Sequence, residues 1–154
     1  MTAVRVGVIS DTHGLLRPEV LSRLSGSDLI LHAGDVGDPA ILDALRAIAP
    51  VRAVHGNTDG GALRDLPATE AVEIGGHLLY MVHIPGDLDL DPVSAGVSVV
   101  IHGHTHRSRI DRVGGVLYLN PGSVGPRRFD LPVTMAVLAI GPDGIESEII
   151  ELEG

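Results

Sequence analysis

Short apolar runs rich in valine, isoleucine and leucine recur along the chain, separated by glycine, proline and small polar residues. Residues 4–10 (VRVGVIS) read as a buried strand: short, β-branched and closed by a polar residue. Residues 18–24 (PEVLSRL) place apolar side chains at helical spacing behind a proline suited to a first turn. Residues 29–33 (LILHA) predict a second strand, Asp38 the N-cap of a helix through ILDALRAI, and residues 51–55 (VRAVH) a third strand. Such alternation predicts parallel strands joined by right-handed crossovers. Further on the period changes. Residues 70–74 and 77–83, 109–113 and 116–120, and 133–140 and 145–152 flank glycine-bearing turns and predict three β-hairpins, with another buried strand over 97–102. The fold expected is α/β: two packed mixed β-sheets flanked by helices, an αββα sandwich, in a single domain over 1–154.

Composition narrows the chemistry. With 154 residues and 44% hydrophobic content the chain can bury a core. There is no cysteine, which excludes disulfide scaffolds, thiolate zinc sites and cysteine nucleophiles. Net charge is -9, and all 11 basic residues are arginine, so long nucleic acids are not expected partners. Aromatic content is 2% (Tyr80, Tyr118, Phe129), too little to stack single-stranded bases. No apolar run approaches the roughly 20 residues of a membrane helix and no signal peptide is visible, so a cytoplasmic protein without a membrane partner is expected. Histidine stands out: of eight, three lie in IHGHTH and one in MVH.

The polar clusters sit at strand ends. Ser10-Asp11-Thr12-His13 follows the first strand, Gly34-Asp35 the second and Gly56-Asn57 the third. His83 ends LLYMVH, and Gly103-His104-Thr105-His106 follows VSVVIH. Ligands of α/β sheets bind beyond the carboxyl ends of strands. This mixture of nitrogen and oxygen donors suits manganese, iron, zinc, nickel or cobalt. Seven donors exceed what one tetrahedral ion uses, and fit two ions roughly 3.5–4 Å apart that share a carboxylate. The alternation in DxH and HxH predicts that both side chains of each pair leave the same side of extended backbone.

These residues, D-x-H, G-D, G-N, a strand-end histidine and G-H-x-H in that order, resemble the calcineurin-like metallophosphoesterase superfamily. Asn120-Pro121-Gly122-Ser123 is similar to its small phosphodiesterase subgroup of bacteria and archaea. The resemblance implies one ion on Asp11, His13, Asp35 and His106 and a second on Asp35, Asn57, His83 and His104, with Asp35 bridging. Manganese is the ion expected first, with Asp35, Asn57 and His104 counted as catalytic. A hydroxide between the ions would attack the phosphorus of a small phosphodiester or activated monoester.

Two departures matter. Thr58 follows Asn57 where many members carry a histidine that assists the leaving group, so esters with good leaving groups should be favoured. His55 is expected within its strand, facing elsewhere. After His83 comes Ile84-Pro85-Gly86 and then Asp87, Asp89 and Asp91, a segment too short and proline-broken for a full helix. It reads as a loop at the mouth of the site, solvated by default, whose carboxylates would repel highly charged substrates if they faced inward.

His32, His55 and His102 are expected to pack or hydrogen-bond behind the ligands, and His77 to belong to a hairpin. Ser123 is either a turn residue or a hydrogen-bonding neighbour of the site. Arg127 and Arg128 either clamp phosphate or pair with surface acids. The competing function is a catalytically silent interaction scaffold of the same fold, as in the retromer subunit with altered metal-site residues. A metallo-β-lactamase site is excluded because HxHxDH requires an aspartate where Arg107 and Ser108 follow His106. Hairpin edges would allow homo-oligomers without requiring them.

Overall fold

The computed structural model describes residues 3–128 and 130–153, so Phe129 lies outside the described residues. Ten strands form two five-stranded sheets. The first has the order β10(Gly144–Leu152), β9(Val133–Gly141), β1(Val4–Ile9), β2(Leu29–His32), β3(Val51–Ala53). There β1, β2 and β3 run parallel, while β9 and β10 pair antiparallel. The second has the order β4(Thr69–Ile74), β5(His77–Val82), β6(Val97–Ile101), β8(Val116–Asn120), β7(Arg109–Val113). Here β5, β6 and β8 are parallel, and β4 and β7 are antiparallel edges.

Alternation along the strands decides which face meets which layer. Val6 and Val8 of β1 point into the space between the sheets with Leu79, Met81, Val99, Ile101, Leu117 and Leu119. Ile9 of β1 and Ile30 of β2 point outward onto α1(Pro18–Leu24) and α2(Pro39–Arg46), through Val20, Leu24, Leu42 and Leu45. Asp38 caps α2 as the sequence predicts, its carboxylate accepting from the Ala40 amide at 2.9 Å.

The outer layer of the second sheet is thinner than the expected sandwich. Tyr80, Val97, Val100 and Val116 are covered by Leu88 and Leu90. The segment after His83 folds as a 3-10 turn, Pro85–Asp87, and one helical turn, α3(Pro92–Ala95). Prolines at both starts remove amide donors, and Gly96 in the left-handed region stops α3 after four residues. No helix among the described residues is long and apolar enough to cross a membrane.

Candidate metal centre

Six parallel strands end at one edge of the two sheets, and the loops that follow them are tied together by backbone hydrogen bonds. The Asp11 amide donates to the Gly34 carbonyl at 3.0 Å and that of His13 to the Asp35 carbonyl at 2.9 Å, joining the loops after β1 and β2. Gly103 donates to the His83 carbonyl at 2.9 Å and Val124 to the Ser10 carbonyl at 3.2 Å, joining the loops after β5, β6, β8 and β1. Gly56 and Gly103 are required by closeness. A Cβ at Gly56 would strike the Asp35 carboxylate, and one at Gly103 would strike the Ser10 hydroxyl and approach Asp11 Oδ2 at 2.8 Å.

All seven sequence-predicted side chains reach this junction. Asp11, His13 and His106 form one group of donor atoms, and Asp35, His83 and His104 another. His106 Nε2 stands 3.5 Å and His13 Nε2 3.7 Å from Asp11 Oδ1, and the two Nε2 atoms are 3.3 Å apart. Asn57 Oδ1 lies 3.1 Å from both His83 Nε2 and His104 Nδ1. Asp35 Oδ2 lies between the groups, 3.1 Å from His83 Nε2 and 3.7 Å from His13 Nε2.

Asp11, His13, Asp35, His104 and His106 are the non-glycine residues with positive φ among the described residues, between 46° and 74°. This corrects the expectation of extended backbone through DxH and HxH. The chain turns left-handed just past each strand end, and that turn brings the side chains together. Asp, Asn and His tolerate this region better than other residues, at a cost of about 1–2 kcal/mol each.

The donor set fits divalent cations. Asp11 is fully buried, and its Oδ1 has no hydrogen-bond partner among the described residues although imidazole nitrogens surround it. An ionised oxygen left so would carry a desolvation penalty that a cation removes. Burial opposes ionisation of Asp11, but bonds to His13 and Ser10 and the nearby His83 and His106 outweigh it and hold the carboxyl below its ordinary value. Asp35 behaves alike: burial raises it, while His83 and the Thr58 amide, 2.9 Å from Oδ1, bring it far below the usual carboxylate range. Burial depresses the His83 imidazolium, yet contact with Asp35 and the charge of Asp11 raise it on balance. His83 Nδ1 donates to the Ala33 carbonyl at 2.7 Å, so in neutral His83 the lone pair is on Nε2, facing Asp35 and Asn57.

The supporting residues divide by loop. Ser10 Oγ donates to Asp11 Oδ2 at 2.7 Å, and the His104 amide donates to the same oxygen at 3.1 Å. Ser123 Oγ donates to the Asp11 carbonyl at 3.0 Å, so it neighbours the site. Asn120 Nδ2 donates to the Gly103 carbonyl and Thr105 Oγ1, both at 3.1 Å, bracing the loop that carries His104 and His106. Asp59 accepts from the amides of Gly56, Gly37 and Val36 at 2.9, 3.1 and 3.2 Å. Sequence reasoning offered Asp59 only as a residue that could order its loop and Asn120 only as part of the Asn120-Pro121-Gly122-Ser123 motif; the bonds each makes come from the structure.

His32 and His102 lie behind the ligands as expected. Burial pushes each down to about 4, and Arg109 adds to the effect at His102. His55 corrects an expectation: it stands beyond the end of β3 and lines a cleft beside Asn57. Asp87 and Asp89 are exposed, as a solvated loop predicts, and they line the open cleft beside Asn57, whereas Asp91 caps α3. His77 is a hairpin residue, its Nδ1 3.2 Å from Ser98 Oγ. Arg127 donates to the Leu131 carbonyl at 3.2 Å.

This fold and this convergence of donors are those of a calcineurin-like phosphoesterase. The chain belongs to that superfamily, whose domain model matches residues 4–143, and it is a phosphoric ester hydrolase. A protein of Methanocaldococcus jannaschii described as a probable metallophosphoesterase is 38% identical over 163 residues, spanning 96% of this chain and 81% of its own length. A solved archaeal phosphodiesterase superposes with a TM-score of 0.83 at 24% identity, over 96% of this chain and 99% of its own. A Vps29 variant of Entamoeba histolytica gives 0.75 at 25% identity, over 97% and 99%.

Proposed function

We propose that the chain hydrolyses a small phosphodiester or activated phosphomonoester at a centre of two divalent ions, manganese first among them. Asp11, His13 and His106 hold one ion, Asn57, His83 and His104 the other, and Asp35 reaches both. The observation that carries this reading is Asp35 Oδ2, placed 3.7 Å from His13 Nε2 and 3.1 Å from His83 Nε2, one oxygen within reach of both donor groups. Ions bound there supply positive charge to the phosphate oxygens and bring the pKa of a water from 15.7 towards about 7.

The protein's part is to fix positions. Ser10 and the His104 amide orient Asp11, the Thr58 amide orients Asp35, and the Ala33 carbonyl orients His83. Asn57 and His104 are exposed at the mouth, where a substrate phosphate would meet them, while Asp11 and Asp35 lie beneath. Position 58 offers a hydroxyl, a poor proton donor at neutral pH, which favours leaving groups that need no proton.

The scaffold reading has one support, the likeness to Vps29. Against it stand seven ligand-type side chains brought to one place with a buried oxygen left unsatisfied. The test is metal analysis of chelator-stripped protein after reloading with manganese, nickel, zinc or iron, followed by hydrolysis of bis-p-nitrophenyl phosphate. The expected result is two ions per chain and activity that chelation abolishes. Turnover that survives thorough chelation would overturn the two-ion reading, and a chain that retains no metal and hydrolyses nothing would return the scaffold reading.

A further inference from the structure

An open cleft of about 290 Å3 lies between the loop after β3 and the segment after β5, and it shares Asn57 and His83 with the metal centre. The rest of its wall includes His55, Arg64, Val82, Ile84, Asp87 and Asp89. Tyr80 donates its hydroxyl to Asp89 Oδ1 at 2.6 Å, anchoring that carboxylate to β5. The Arg64 guanidinium is turned to its own loop, 3.5 Å from the carbonyls of Gly56 and Asp59. His55 Nδ1 is a buried nitrogen without a partner among the described residues. The wall therefore presents two exposed carboxylates and one guanidinium beside an apolar floor; Asp89 is held by Tyr80, Arg64 touches backbone carbonyls only at 3.5 Å, and the carboxylates outnumber the cation.

Size and chemistry narrow the occupant. The volume falls at the lower end of small-molecule sites, about 300–1,000 Å3, which suits a group of a few heavy atoms. Among the described residues no phenylalanine, tyrosine or tryptophan lines the cleft, so they supply neither a stacking platform for a base nor an aromatic cage for a quaternary ammonium. An anionic group would be repelled by Asp87 and Asp89. An alkyl group would desolvate them without return. A primary ammonium brings three N–H donors and a compensating charge.

We infer that the cleft seats the second ester group of a phosphodiester and selects one bearing a primary ammonium, an amino-alcohol ester, through Asp87 and Asp89. The inference rests on the phosphoesterase reading above and names its substrate class. With the phosphate at Asn57 and His83, the amino-alcohol arm extends along Val82 and Ile84 to the carboxylates.

The experiment compares kcat/KM of the manganese-loaded full chain for the 2-aminoethyl, ethyl and 2-carboxyethyl esters of p-nitrophenyl phosphate. The 2-aminoethyl ester is expected to be favoured about tenfold over the ethyl ester, the scale of one close charge pair, with the 2-carboxyethyl ester poorest. In the Asp87→Asn/Asp89→Asn double variant the amine-to-ethyl ratio should fall to near one. Binding is read separately by calorimetric titration with 2-aminoethyl and ethyl methylphosphonate, which lack the aryl ester. Equal efficiency on all three esters, or an amine preference that persists in the double variant, overturns the inference and leaves the phosphoesterase reading standing. If no ester is hydrolysed, the phosphoesterase reading falls and the titration decides for the cleft: tighter binding of the amine supports it, equal binding overturns it.

Discussion

At His32 the hydrogen bonds define the tautomer. The Gly34 amide donates to Nδ1 at 3.1 Å, so Nδ1 is the acceptor and the proton is on Nε2. Nε2 lies 3.0 Å from Thr12 Oγ1, whose own proton goes to the Val36 carbonyl at 2.6 Å. A second proton on Nδ1 would face the Gly34 N–H in a fully buried position, and His32 is pushed down from 6.5 to about 4. A folded pKa below the unfolded one means that the unfolded chain binds more protons between about pH 4 and 6.5. Stability from this group is therefore complete above that window and lost as pH falls through it, by about 3 kcal/mol in all and about 2 kcal/mol between pH 7 and 5. His102 contributes with the same sign, and the raised His83 with the opposite one. Urea unfolding of chelated protein at pH 7 and pH 5 should show His32→Gln with a shallower pH dependence than wild type by about 2 kcal/mol. Equal slopes would refute the assignment. The candidate donor residues, and their convergence at one place, were legible at this scale because their types and order are informative. Their left-handed backbone was not, since spacing alone does not report φ.

The loops after β2 and β3 carry Asp35 and Asn57, and one buried carboxylate clamps them. Asp59 takes three amides, from Val36, Gly37 and Gly56, none of which has a strand partner at that point. Asp59→Ala should leave two buried donors, the Val36 and Gly56 amides, unpaired and free the exposed Gly37 amide, at a cost of about 2 kcal/mol or more in a denaturant titration. Because the clamp also sets the spacing of Asp35 and Asn57, metal affinity should drop about 10–100-fold, read by titration of the apo-protein. Unchanged affinity in a folded variant would mean the loops hold themselves. Strands and hairpins were legible from the apolar period, within one or two residues at most ends. The order of the second sheet was not: β7 lies outside β8, and β6 is inserted between β5 and β8. Parallel pairing at long range leaves no local mark in a sequence. The acidic segment after His83 was likewise open, because exposed aspartates read as solvated until the neighbouring loop after β3 supplies the opposite wall of a cleft.

At the scale of the whole molecule a chain of net charge -9 gathers carboxylates and imidazoles where two sheets and six loops meet. Packing between the sheets involves apolar residues such as Val6, Leu31, Leu79 and Leu119, none of which is a ligand. The fold should therefore survive without metal, while the site loops, held mainly by backbone bonds and the clustered charges, gain most from it. Ligand that binds only the folded state adds stability as RT ln(1 + [L]/Kd), about 2.7 kcal/mol at one hundred times Kd for each site. Wild-type protein should accordingly melt at a lower temperature after chelation and recover on adding manganese. Asp35→Asn removes the charge closest to His83 that also faces His13, so the increment should shrink for both ions together. In the metal-free state the same variant removes a carboxylate that His83 and the Thr58 amide hold ionised, so stripped Asp35→Asn should melt below stripped wild type, and the comparison is between the manganese-dependent increments. The measurement is thermal unfolding of both proteins with and without manganese, alongside hydrolysis of bis-p-nitrophenyl phosphate. Activity of the variant should fall by about two orders of magnitude or more, as for loss of a transition-state charge contact. A manganese-dependent shift in Asp35→Asn equal to that of wild type would remove Asp35 from between the ions, and with it the two-ion arrangement.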